Sequence, residues 1–230
     1  MRFPPTKLRL QAAAQQPKLP RRQVLSLTYL ALGGALLAPM LAQAAPLALT
    51  ASDQALIASI ETYLNSQSAL TANFLQVSPD GSTRTGKAWL ERPGKMRFAY
   101  DPPDPQLVVA GLGMLVYYDP QLNQTTNIPL NSTPLGILLA PHVDLESAGV
   151  YVTAIDRQPG QVTISLVRRG QEAAGSLSLI FSTNPLELVA WIVQDAQGKQ
   201  TSVHLYDVAP SGPLPDSLFE FSRPGTPSNK

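Results

Sequence analysis

The chain has 230 residues, 44% of them hydrophobic and 14% charged, which suits one globular domain and excludes a disordered one. It has no cysteine, and this excludes disulfides, thiolate chemistry, cysteine metal sites and amino-terminal lipidation of the chain itself. The net charge of +1 conceals six basic residues and no acid in the first 22 positions; the remainder carries 11 basic and 16 acidic residues, the wrong sign for a nucleic-acid binder.

In chain order, a basic stretch (Arg2, Lys7, Arg9, Lys18, Arg21, Arg22) precedes an apolar run at 23–41 that ends in Ala42-Gln43-Ala44. That order predicts a secretory signal peptide over 1–45. A membrane anchor is the rival, weakened by Gln23, Gly33, Gly34 and Pro39 and by the lack of stop-transfer charges. Arg21-Arg22-Gln23-Val24-Leu25 is similar to a twin-arginine export signal, with the general pathway as the alternative. One domain is expected over 46–224, outside the cytoplasm, with 225–230 as a loose tail.

A helix opens that domain, with Ser52 as the expected N-cap, Asp53 at the positive end of the dipole and Leu56, Ile57, Ile60 and Leu64 on one stripe. The period then changes to short strands at 68–77, 84–91, 95–101, 106–110, 113–119 and 122–128, and again at 149–156, 161–169, 175–182, 186–194, 200–208 and 217–221. Turn signals such as Arg92-Pro93-Gly94 and Gln158-Pro159-Gly160 separate them. Between the two series, Thr133-Pro134 starts a small helix over Leu135, Ile137, Leu138 and Leu139, which Pro141 ends. Several strands are apolar on both faces: in 186–193, Leu186, Leu188, Ala190 and Ile192 alternate with Val189, Trp191 and Val193. Both faces are therefore covered, by a second layer or by a ligand.

Residues able to carry chemistry are few. His142 and His204 share no metal-ligand spacing, and no nucleophile elbow, phosphate loop or zinc-protease motif occurs. Asp101 and Asp104 lie in Asp-Pro-Pro-Asp-Pro, which reads as a stiff turn rather than an acid/base pair. Binding is favoured over catalysis, and neither cofactor nor metal is expected.

The stretch Gly86-Lys87-Ala88-Trp89-Leu90-Glu91-Arg92-Pro93-Gly94-Lys95-Met96-Arg97-Phe98-Ala99-Tyr100 resembles the signature hairpin of the LolA family. Ala72-Asn73-Phe74-Leu75-Gln76 before it, Leu115-Val116-Tyr117-Tyr118-Asp119-Pro120 after it and Leu130–Leu139 beyond agree with the family in order. Met96, Phe98, Ala110 and Val116 depart from the common residues. The resemblance spans about 52–221.

The resemblance implies an incomplete antiparallel β-barrel, a half-barrel closed by an α-helical lid, that shields lipoprotein acyl chains in the periplasm. It implies transfer from an inner-membrane ABC-type releasing complex to an outer-membrane acceptor or receptor, by a monomer without cofactor or chemical step. Arg92 is the latch candidate, donating to carbonyls at the end of the 134–140 helix. Strand parity adds Leu70, Phe74, Met96, Phe98 and Tyr100 to the expected cavity lining, with Trp89 beside them and Leu135, Ile137, Leu138 and Leu139 in the lid. A LolA-like lipid sensor feeding a signalling partner is the alternative, and a hydrolase on this scaffold would need a polar cluster inside the hollow.

Overall fold

The computed structural model describes residues 46–222 except 105 and 148, so the expected signal peptide and the 225–230 tail lie outside the described residues. α1 (Ala51–Ser66) begins at Thr50, whose hydroxyl accepts from Asp53 N–H while the Asp53 carboxylate accepts from Thr50 N–H at 2.9 Å. This reciprocal capping box moves the cap two residues ahead of Ser52. Ile57, Ile60 and Leu64 are buried along the predicted stripe.

Eleven strands follow in two series. The first is β1 (Ala69–Val77), β2 (Thr83–Glu91), β3 (Lys95–Tyr100), β4 (Leu107–Gly111), β5 (Met114–Asp119) and β6 (Gln124–Pro129). The second is β7 (Val150–Gln158), β8 (Gln161–Arg168), β9 (Ser176–Thr183), β10 (Leu186–Gln194) and β11 (Gln200–Pro210). They form one antiparallel sheet in the order β6-β5-β4-β3-β2-β1-β11-β10-β9-β8-β7. The sheet is open: β6 and β7 are its edges, and each has a strand neighbour on one side only.

The sheet is strongly curved. β3 and β10 are four strand spacings apart, about 19 Å on a flat sheet. Yet the rings of Phe98 on β3 and Trp191 on β10 meet with centroids 5.9 Å apart. The strands therefore bend around a hollow whose concave side holds the main core, including Phe74, Phe98, Ile164, Leu166, Leu179 and Phe181. This is the expected incomplete barrel.

The segment joining the two edges, 130–149, crosses the concave side and buries Leu130, Leu135, Ile137, Leu138, Leu139, Val143 and Leu145 in that core. Its backbone differs from the expected α-helix. It forms 3-10 turns at Leu130–Ser132 and Pro134–Gly136, followed by irregular turns. Pro134 and Pro141 bracket too few residues for a stable α-helical run. Residues 217–221 likewise form no strand; Asp216–Phe219 is a 3-10 turn, and Arg97 on β3 donates to Leu218 O at 3.0 Å.

Candidate functional site

Under the lid lies an apolar cavity of about 150 Å³, lined by Met96, Phe98 and Tyr100 of β3, Val108 of β4, Leu135 of the lid and, from the other half of the sheet, Trp191, Val193, Thr201 and Val203, with Gln76 of β1. Phe74 sits behind this wall, its ring edge-on to Phe98 at 4.6 Å and to Tyr100 at 5.2 Å. Gly86 makes room for it: a Cβ there would lie 2.8 Å from the Phe74 ring and 2.2 Å from Ala99 O. The Tyr100 hydroxyl donates to Gln76 Oε1 at 2.8 Å, and burial raises its pKa well above the ordinary tyrosine value, so it remains a neutral donor. The lining offers hydrocarbon contact and a few neutral polar groups. Among the described residues, no carboxylate, histidine or lysine lines it.

A second void of about 30 Å³ lies between the last turn of α1, the β1–β2 pair and the lid, where Leu70, Leu90, Arg92, Leu138 and Leu139 meet. The β2–β3 turn holds both covering elements here. Arg92 Nη2 donates to the carbonyl of Gln67, the C-cap of α1, and Gly94 N–H donates to Leu139 O of the lid at 2.9 Å. The Arg92 contact satisfies an orphan carbonyl at the negative end of the helix dipole. Burial lowers the guanidinium pKa.

The expected site residues are therefore distributed as follows. Met96, Phe98, Tyr100 and Leu135 line the larger void, Leu70, Leu138 and Leu139 the smaller one, and Phe74 and Ile137 fill the core beside them. Trp89 is placed on the opposite face. Its neighbours Ala88 and Leu90 point into the core, and the Trp89 ring packs under Lys87 Nζ at 5.7 Å. Arg92 reaches the end of α1 rather than a lid carbonyl, and the bond from this turn to the lid is made by the Gly94 backbone.

Trp191 and Val193 were not selected as lining from the sequence. A bulge between Leu188 and Ala190 resets the parity of β10, so Leu188 and Trp191, three residues apart, both face the core. The hollow excludes both histidines: His142 lies in a groove with Glu61 and Asn65, and His204 points away from the core-facing Val203 and Leu205. Asp101 accepts from the Thr85 hydroxyl and Asp104 from Arg84, as turn residues do.

Residues 65–222 match the family described as outer membrane lipoprotein carrier protein LolA. An outer-membrane lipoprotein carrier protein of Pseudomonas aeruginosa is 30% identical over 188 residues, covering 76% of this chain and 86% of the relative. One from Methylococcus capsulatus is 29% identical over 174 residues, covering 72% and 82%. Among solved structures, a LolA superfamily protein from Nitrosomonas europaea covers 73% of this chain and 97% of its own, at 11% identity and a TM-score of 0.39. The family match spans most of the chain and coincides with the lidded sheet: this chain belongs to the LolA family.

Proposed function

We propose that this protein carries acylated proteins through the periplasm, holding their acyl chains in the hollow between the sheet and its lid. It collects them from an inner-membrane releasing complex, delivers them to an outer-membrane acceptor, and catalyses no reaction. The observation that carries this reading is an apolar void of about 150 Å³ beneath the segment that joins the two sheet edges. The void is too small for the cargo while the cover is shut, because an apolar space of about 150 Å³ holds roughly one benzene-sized guest. A long acyl chain enters only if the lid yields.

The energetics suit a carrier. Each buried methylene contributes about 0.8 kcal/mol, so one long chain offers on the order of 10 kcal/mol. Displacing the lid opposes part of that gain and keeps hand-over possible. The closed state is held at the β2–β3 turn, through Arg92 to α1 and Gly94 to the lid. Arg92→Leu weakens the closed, empty state relative to the loaded one, so cargo is retained: transfer to acceptor membranes should fall by about tenfold for each 1.4 kcal/mol removed. Unchanged transfer would remove Arg92 from this role.

The direct test is intact-mass spectrometry of the protein isolated gently from its own periplasm. A co-purifying mass equal to a triacylated or diacylated protein supports the reading. Recovery of free phospholipid alone contradicts it and favours lipid sensing.

A further inference from the structure

β8 sends Val162, Ile164 and Leu166 into the core of the hollow, and Arg168 continues the same parity. Register extends this row toward the larger void: Leu166 lies opposite Leu177, Leu177 opposite Val193, and Val193 opposite Thr201, and the last two line the void. The Arg168 head lies against the lid. A Cβ on Gly136 would stand 3.0 Å from Nη2, and Gly136 directly follows the lining residue Leu135.

Arg168 Nε is buried and has no hydrogen-bond partner, and none of the ion pairs among the described residues involves this guanidinium. Arg92 and Arg97, two other partly buried arginines, each donate to a backbone carbonyl. A buried donor left without an acceptor is costly and uncommon. Here it stands at the end of an apolar row, its aliphatic stem extending that row and its polar head at the margin. A ligand that fits this arrangement is a hydrocarbon chain ending in an oxygen acceptor.

An acyl chain ends in such an acceptor. Resting on the carrier reading above, we propose that Arg168 is the head-group contact of the hollow and donates to an acyl ester or amide carbonyl oxygen when hydrocarbon enters the hollow. The chain then lies with its carbonyl at Arg168 and its methyl end running past Val193 toward Trp191 and Phe98. The fit of the guanidinium against Gly136 ties this contact to lid position, so the group that marks cargo as acylated is read where the lid must shift. The same ester occurs in diacylglyceryl cysteine and in phospholipid, and the test separates the two sources.

The protein is titrated with a diacylglyceryl lipopeptide carrying ¹³C ester carbonyls, with its dialkyl ether counterpart, and with a ¹³C-ester phosphatidylethanolamine. The ester lipopeptide should bind about tenfold more tightly than the ether, as expected for a hydrogen bond from a charged donor. Its carbonyl stretch should move to lower frequency in the complex. Arg168→Met should abolish both the preference and the frequency shift, and Arg168→Lys should restore part of each. A carbonyl shift that survives in Arg168→Met, or equal weakening of ester and ether, overturns the assignment while the carrier reading stands. A shift with the phospholipid alone assigns the ester to membrane lipid and contradicts the acylated-protein source. Failure of the unsubstituted chain to bind either lipopeptide overturns the carrier reading itself.

Discussion

Phe74 is 1% exposed and touches two other rings, and Gly86 on the neighbouring strand leaves space for it. Removing that ring deletes the support of the β3 wall. Phe74→Ala should cost about 3–5 kcal/mol, read from the denaturant midpoint with an unchanged slope. The residues of this wall were legible in the sequence because β3 is short and unbroken, so alternation alone places Met96, Phe98 and Tyr100 together. Trp191 was not legible, since one extra residue in β10 reverses the parity that alternation assumes. Trp89 was assigned inward from the motif around it, although the small residues Gly86 and Ala88 occupy the core-facing positions of its own strand. The donor reach of Arg92 was legible, but its acceptor was not: nothing local in sequence says that the β2–β3 turn meets the end of α1.

Among the elements, α1 and the 130–149 segment cover the concave side by different means. α1 is a regular amphipathic helix anchored at its start by Asp53, which the Thr50 cap and Arg157 of β7 hold to a pKa of about 2, against an ordinary value of 3.8. A lowered folded pKa means that this anchor is fully present above about pH 4 and is lost as pH falls through about 2. Amide exchange at the first turn of α1 should therefore accelerate between those limits before the strands open; uniform loss of protection would contradict it. The lid segment depends instead on close approach. A Cβ at Gly136 would lie 2.5 Å from Leu130 O, so Gly136→Ala should push the turn outward and cost about 1–3 kcal/mol. Binding of a fluorescent apolar probe should rise in that variant, and unchanged binding would show that the turn does not gate the hollow. The existence, order and approximate limits of all eleven strands followed from period-2 runs and turn residues. The lid conformation did not, because six small or apolar residues between Pro134 and Pro141 fit several compact turns equally well.

For the molecule as a whole, the two edges β6 and β7 are joined by the segment that fills the space between them, so lid movement and sheet curvature are coupled through one covalent path. The 5.9 Å Phe98–Trp191 contact closes the hollow across four strand spacings. A sheet packed this way can widen only if such contacts part, and hydrocarbon entering at about 0.8 kcal/mol per methylene supplies the compensation. Family resemblance and strand patterning made the open, curved architecture legible; the degree of closure in the empty state was not, since it depends on side-chain volumes meeting across the hollow.

Amide hydrogen exchange at Gly94 tests this coupling most directly, because its N–H is bonded to Leu139 O only while the lid is shut. Titration with an acylated peptide should lower protection at Gly94 and over 137–140 while the central strands β1 and β11 keep theirs. Stoichiometric binding of the acylated peptide with Gly94 protection undiminished would contradict entry beneath a displaced lid.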